Sequence, residues 1–332
     1  MMSMGVVKVI KVKKKFRFWK VIKTILLATV AVVIIWVIYS NIMAVYEQRK
    51  YPAIGELVEV NGKNMHIYTK GQGDNTIVLL SGLATPAPAL DFEPLINELS
   101  KTNKVVVVEP FGYGWSDLTD KERTVENIVE ETRAALKKSN IKGPYILMPH
   151  SISGIYSLYY ANNYSEEVKA IIGIDPTLPQ MSEYFGDDVF PTMPKYTEYM
   201  APIGIARLLA YVTPDNILPL SEKGTYTEVN LKMAKSIVAA KYINKAVVKE
   251  TNEIKNNFDL TTNMTFPSDL PVMIFTPKEQ YVEGKSKIDF YNTQLQNIKN
   301  NKLVVLEGQH YLHWTHYKEM SENLNEFVEG LK

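Results

Sequence analysis

The chain has 332 residues, with 46% apolar and 22% charged residues, the size and balance of one large globular domain with room for an insertion. It contains no cysteine, which excludes disulfides, thiolate catalysis and Cys-based metal sites. The net charge of +1 conceals an asymmetry. Eight of the 37 Lys/Arg lie in residues 1–23 without an acid among them, which leaves 29 basic against 36 acidic residues beyond, a net −7. A body of that sign argues against a basic nucleic-acid-binding surface.

Residues 1–23 read as a basic tail. From Thr24 to Tyr46 no residue is charged, and the run Thr24–Tyr39 is apolar on every face. As a helix these 23 residues span roughly 34 Å, enough to cross a hydrocarbon core of about 30 Å. The basic block before the run predicts an N-terminus in the cytoplasm and a body outside, with Trp19, Trp36 and Tyr39 as candidate interface residues. A cleaved signal peptide would have a shorter apolar region than this. Asn41-Ile42-Met43-Ala44 is also a poor small-x-small cleavage site. A core helix would carry a polar face, which this segment lacks. An uncleaved anchor over residues 24–46 is therefore the expectation.

After a short linker at 51–55, Glu56–Val60 and Asn64–Thr69 flank Asn61-Gly62, the signature of a hairpin. Thr76–Leu80 is a buried strand leading into Ser81-Gly82-Leu83-Ala84. A helix is expected over Asp91–Ser100, a strand over Lys104–Val108, and an amphipathic helix over Arg123–Ser139. Tyr145–Met148 is another apolar run. It turns at Pro149-His150-Ser151 and continues with helical spacing through Ile152–Asn162. Val168–Ile174 is a strand that stops at Asp175-Pro176. The alternation then breaks. Residues 177–266 hold helical patches at Ile203–Val212, Val229–Tyr242 and Ala246–Asn256 but no clear buried strand, as a helical lid would. The rhythm resumes with a strand over Leu270–Phe275, a helix over Lys285–Lys299, a strand over Lys302–Leu306 and a last helix over Tyr317–Leu331. An opening hairpin followed by alternating strands and helices implies a mostly parallel sheet covered on both faces. The core is then expected over 51–176 and 267–332.

Four segments carry a resemblance to the α/β-hydrolase superfamily, in order and each at the end of a predicted strand. Leu79-Leu80-Ser81-Gly82-Leu83 resembles the oxyanion loop, with Ser81 where that family usually has His. Pro110-Phe111-Gly112-Tyr113-Gly114-Trp115-Ser116-Asp117 is similar to the family's P-G-x-G-x-S segment. Pro149-His150-Ser151-Ile152-Ser153-Gly154 resembles the nucleophile elbow, with Pro149 and Ser153 where two glycines are usual. Gly308-Gln309-His310 resembles the segment that supplies the general base. The resemblance covers roughly residues 55–330 and implies an eight-stranded α/β-hydrolase fold with a helical lid.

It also implies roles. Ser151 is the expected nucleophile; as a plain helix start it would be only an N-cap. His310 is the expected base, with His313 and His316 as alternatives. Those three His also have one-turn spacing, but no carboxylate pattern accompanies them and no metal or other cofactor is expected. His150 and His66 read as structural. The amides of Leu83 and Ile152 are the expected oxyanion donors. The acid that orients His310 has two candidates. The family's usual position, after the strand Leu270–Phe275, falls on the amide Gln280, with Glu279 adjacent. The end of the preceding strand offers Asp175, whose other reading is a turn cap before Pro176. Tyr184, Phe185, Phe190, Tyr196, Tyr199 and Tyr211, with Met200, Leu208 and Leu209, read mostly as an ordinary lid core; even so, a helical lid over the elbow would form a largely apolar pocket, which suits an acyl or other apolar ester. The expected activity is ester hydrolysis by a membrane-anchored serine esterase. A proline-releasing aminopeptidase and a non-catalytic binding or sensor protein on the same fold are the alternatives. Haloalkane dehalogenases and epoxide hydrolases share this layout but use Asp where this chain has Ser151.

Overall fold

The computed structural model describes residues 10–186, 190–214, 218–219, 221–278, 281–282 and 284–331. It opens with α1 (Ile10–Lys50), one helix of 41 residues that contains the whole uncharged run. None of the residues in the most apolar window of α1 is buried, so this is not a core helix. It is long and apolar enough to cross a membrane.

Strands β1 (Glu56–Val60) and β2 (Lys63–Lys70) form the expected hairpin. Asn61 and Gly62 at its tip have φ of 53° and 76°, the left-handed pair that such a tight turn requires. Then come β3 (Thr76–Leu80), α2 (Pro88–Asp91), α3 (Glu93–Leu99), β4 (Lys104–Glu109), α4 (Val125–Lys138), β5 (Tyr145–Pro149), α5 (Ser153–Asn163) and β6 (Val168–Ile174). A helical insert follows, with α6 (Met181–Phe185), α7 (Ile205–Val212), α8 (Glu228–Lys241) and α9 (Lys245–Thr261). The chain returns to the sheet with β7 (Val272–Pro277). It continues through a small hairpin of β8 (Tyr281–Val282) and β9 (Lys285–Ser286), then α10 (Lys287–Leu295), β10 (Asn301–Leu306) and α11 (Tyr317–Glu329).

Eight strands form one sheet in the order β1-β2-β4-β3-β5-β6-β7-β10. The pairs of β2 are antiparallel and the remaining pairs are parallel. Both faces are covered, which is why the central strands read as unbroken Val/Ile runs. On one face Val78, Leu147 and Ile274 pack with Val129, Ile155 and Phe290 from α4, α5 and α10. On the other, Ile77, Ile146 and Phe275 pack with Leu95 and Leu324 from α3 and α11.

Two expected helices differ. The one expected over Asp91–Ser100 is broken at Phe92. Pro94 sits in the first turn of α3, where its missing N–H costs nothing, but it cannot continue a helix from α2. The helix expected from Lys285 begins at Lys287, because Gly284 (φ 76°) closes the β8–β9 turn just before it. Pro149 is the last residue of β5, opposite Leu80, where a missing N–H is tolerated.

Candidate active site

The strand order places the ends of β3, β5 and β6 side by side, with β10 two positions beyond β6. The loops that leave these four strands carry Leu83, Ser151, Asp175 and His310. Such a convergence at the carboxyl ends of parallel strands is where open α/β sheets build their sites.

Ser151 stands at the turn between β5 and α5 with φ of 54°. A non-glycine residue in the left-handed region is strained, and the strain holds the side chain clear of the sheet. The turn is pinned from three sides. The Ser151 amide donates to the Ile174 carbonyl at 3.2 Å, the His150 amide donates to the Leu80 carbonyl at 2.8 Å, and the Thr177 amide donates to the Ser151 carbonyl at 2.8 Å. Close packing explains the small residues around it. A Cβ on Gly154 would meet the Thr177 carbonyl oxygen at 2.4 Å, and one on Gly82 would meet His150 Nδ1 at 2.8 Å. Ser153 is compatible because its hydroxyl donates to the Ser81 carbonyl, tying α5 to the β3 loop.

Asp175 follows β6 directly, at φ of 43°, and is buried. His310 Nδ1 lies 2.6 Å from its Oδ2. That contact fixes the tautomer with the proton on Nδ1 and leaves Nε2 free to take a proton. Lys287 Nζ is 2.7 Å from both carboxylate oxygens, and the Tyr291 hydroxyl is 3.0 Å from Oδ1. Burial alone would raise the Asp175 carboxyl, but the His310 hydrogen bond and the Lys287 charge outweigh it and hold it below its ordinary value. Burial and the Asp175 charge push the Tyr291 phenol well up, so it acts as a donor. Lys287 and Tyr291 had no motif to announce them. Their i, i+4 spacing on α10 puts both on one helix face, and only the packing of α10 aims that face at the end of β6.

The other histidines separate. His313 is fully buried and sits 2.7 Å from Asp91 Oδ2, whose Oδ1 accepts from the Trp314 indole at 3.0 Å. His316 faces Glu319 at 3.5 Å. The three one-turn histidines thus take three different carboxylates, and among the described residues no group could hold a metal ion. His66 is buried against Glu109 at 2.9 Å. His150 is wedged among His310, Tyr311 and His313, and its Nε2–H donates to the His310 carbonyl at 3.2 Å. Burial pushes its pKa well down, so it is neutral and supports the loop that bears His310. Glu279 and Gln280 lie outside the described residues.

Ser151 opens into a cavity of about 350 Å³ together with Leu83, Ile152 and Lys287. Its other walls are Phe185 and Phe190 of the insert, Ile254 and Phe258 of α9, Met181 and Val282. The amides of Leu83 and Ile152 make no hydrogen bond among the described residues, so both remain available as donors. Ala84, next to Leu83, has φ of 57°, and its amide donates to the Tyr113 hydroxyl at 3.0 Å. Tyr113 and Tyr156 both donate to buried Glu250 of α9, at 2.8 and 2.9 Å, so the insert braces this loop. Among the described residues no hydrogen bond joins the Ser151 hydroxyl to His310; such contacts commonly close only when substrate binds. Of the lid residues named from the sequence, Phe185 and Phe190 line this cavity. Tyr196, Tyr199, Leu208 and Tyr211 are exposed on the insert instead of packing in a lid core.

A family model described as alpha/beta hydrolase fold matches residues 75–210. Uncharacterized protein YbdG of Bacillus subtilis (strain 168) is 34% identical over 267 residues, which cover 77% of this chain and 80% of that one. The cis-3-alkyl-4-alkyloxetan-2-one decarboxylase of Shewanella oneidensis is 28% identical over 115 residues, 34% of this chain and 35% of its own. Among solved structures, epoxide hydrolase VrEH1 from Vigna radiata superposes with a TM-score of 0.65 at 20% identity, over 83% of this chain and 97% of that one. Cfl2 from Burkholderia cenocepacia does so with a TM-score of 0.62 at 14% identity, over 82% and 94%. At these identities the structural likenesses speak for the fold alone. The order of the eight strands, the strained turn between β5 and α5, and the matched sequence together place this chain in the α/β-hydrolase fold family.

Proposed function

We propose that this protein is a membrane-anchored serine hydrolase that cleaves carboxylic esters with an apolar acyl group. The observation that carries the reading is the 2.6 Å contact between Asp175 and His310 beside the strained Ser151. In this reading His310 Nε2 takes the Ser151 proton as the hydroxyl attacks the ester carbonyl. Asp175 keeps the ring oriented and stabilises the imidazolium. The amides of Leu83 and Ile152 receive the developing oxyanion. His310 then protonates the departing alcohol, and water, activated by the same ring, releases the acid from the acyl-serine. The apolar walls contributed by the lid favour an acyl chain over a charged peptide. Residues 24–46 form the anchor, with the basic tail in the cytoplasm and the hydrolase outside. No cofactor enters this scheme.

The resemblance in fold to epoxide hydrolases does not extend to their chemistry. Serine attack on an epoxide carbon would leave an ether, which offers water no carbonyl to attack. Attack on an ester leaves an acyl-serine that water cleaves. The nature of residue 151 therefore selects acyl transfer. A fluorophosphonate probe, which labels only an activated serine, should label the wild-type chain and leave a folded Ser151→Ala variant unlabelled. Undiminished labelling of that variant would remove Ser151 from the mechanism. Absence of labelling in the wild type would favour a binding or sensor role instead.

A further inference from the structure

We infer that the segment Tyr196–Val212 of the helical insert is itself seated in the outer interface of the membrane, so that the hydrolase is held flat on the bilayer rather than swinging from it on a tether. The inference rests on the reading of α1 as a membrane span.

Length decides the depth. The uncharged run Thr24–Tyr46 is just long enough to cross a hydrocarbon core of about 30 Å. The insert is fastened to its outer half. The Trp36 indole donates to the Gly204 carbonyl at 3.2 Å, and the Asn41 amide donates to the Pro202 carbonyl at 2.8 Å. Arg207 donates to the Ser40 hydroxyl at 3.2 Å and to both carboxylate oxygens of Glu47 at 2.9 and 2.7 Å. Contact is close enough that a Cβ on Gly204 would meet Trp36 Nε1 at 2.6 Å. If the insert stayed wholly in water, the hydrocarbon would have to end before Trp36. The twelve residues Thr24–Ile35 would then supply only about 18 Å of the span. A full core would have to reach back about twenty residues from Ile35, past Lys23, Lys20 and Arg17, whose side chains would snorkel to the inner surface. If those cations stay outside instead, the insert is submerged. In both cases Gly204 and its neighbours lie at or within the outer boundary of the hydrocarbon.

The surface of the segment fits that depth independently. Ile203, Ile205, Leu208, Tyr211 and Val212 are exposed, while the small residues Ala206 and Ala210 face inward. This is the reverse of a water-facing helix. Between Tyr199 and Thr213 the only charged residue is Arg207, which is 1% exposed and neutralised by Glu47. Tyr196 and Tyr199, 73% and 55% exposed, stand just before it, as tyrosines do in interfacial belts. An apolar patch beside an apolar helix, joined to it by hydrogen bonds and by the Arg207–Glu47 ion pair, takes lipid as its occupant.

The cysteine-free chain permits a direct test. Single variants Val30→Cys, Leu208→Cys, Val212→Cys and Val305→Cys, labelled with an environment-sensitive nitrobenzoxadiazole dye, are reconstituted at full length in phosphatidylcholine vesicles. Val30 reports the span, and Val305, exposed on the edge strand β10, reports water. The expected result is blue-shifted emission, quenched by spin-labelled lipid, at 30, 208 and 212 but not at 305. If 30 is in lipid while 208 and 212 behave like 305, the seating of the insert is wrong and the anchor stands. If 30 also reports water, the anchor itself is wrong and the seating falls with it.

Discussion

Asp175 is the residue at which sequence and structure meet most tightly. A left-handed aspartate closing an apolar strand has two uses, as a turn cap or as a charge aimed into the site. Its carboxylate holds His310 at 2.6 Å, as the second use requires. Removing the charge while keeping the shape separates the two. Asp175→Asn should lower turnover of a model ester by about 10⁴, the cost of leaving a triad histidine in the wrong tautomer; a loss of less than about tenfold would return Asp175 to the role of turn residue. Lys287 adds a second partner for the same carboxylate at 2.7 Å. Against the burial that would raise it, the His310 hydrogen bond and the Lys287 charge hold the Asp175 carboxyl below its ordinary value of about 3.8. The stability Asp175 contributes is therefore complete above that pH and lost as the pH falls through the depressed value. In Lys287→Met that carboxyl should rise, so the loss of stability in acid should begin at a higher pH than in the wild type. An unmoved acid limb of the unfolding midpoint against pH would make Lys287 a packing residue only.

Among the elements, the strand–turn–helix of β5 and α5 does most to define the site, and its tolerance is set by contacts rather than by motif. Ser153 fits where the family usually has a glycine because its hydroxyl donates to the Ser81 carbonyl, whereas Gly154 has no such freedom. Gly154→Ala would push a methyl to 2.4 Å from the Thr177 carbonyl oxygen. It should destabilise the fold by about 1–3 kcal/mol, read by denaturant unfolding, and displace Ser151. An unchanged midpoint would show that the helix start can slide. The parallel sheet was legible in the sequence because strands buried on both faces leave long Val/Ile runs, and the hairpin because Asn61-Gly62 satisfies a specific turn. The break at Phe92 was written in Pro94 but outweighed by helical spacing around it. The β8–β9 hairpin was invisible, since two-residue strands carry no periodicity. In the candidate site, Ser151 and His310 follow predicted strands and were readable from position, whereas position alone left the acid open between Asp175 and Glu279. Lys287 and Tyr291 reach the site from a helix whose facing is fixed only by tertiary packing. The same limit applies to Tyr196, Tyr199, Leu208 and Tyr211, read as lid core yet exposed, because apolar composition does not say which side of an insert a residue faces.

At the scale of the whole molecule, the charge asymmetry and the bare apolar helix support the proposed anchor, which would divide the chain between two media. Eight basic residues and no acid precede the run 24–46, and a body of net −7 follows it. The body is not loosely tethered. Helix α1 continues without interruption to Lys50, Arg207 and Glu47 clasp the insert to it, and the Trp115 indole donates to the Tyr51 carbonyl at 3.1 Å where the chain leaves the helix. Protease added to intact cells should therefore digest the body; protection until lysis would reverse the orientation. The central claim is that Ser151 forms an acyl-enzyme, and it is tested most directly by trapping that species. The full-length chain, reconstituted in vesicles, is mixed with a long-chain p-nitrophenyl ester, quenched in acid within the first turnovers and mapped by peptide mass. The account predicts an acyl group on the peptide bearing Ser151, and its loss both in Ser151→Ala and in His310→Ala, where the base that activates the serine is gone. An adduct on any other residue, or ester turnover that persists in Ser151→Ala, would contradict it.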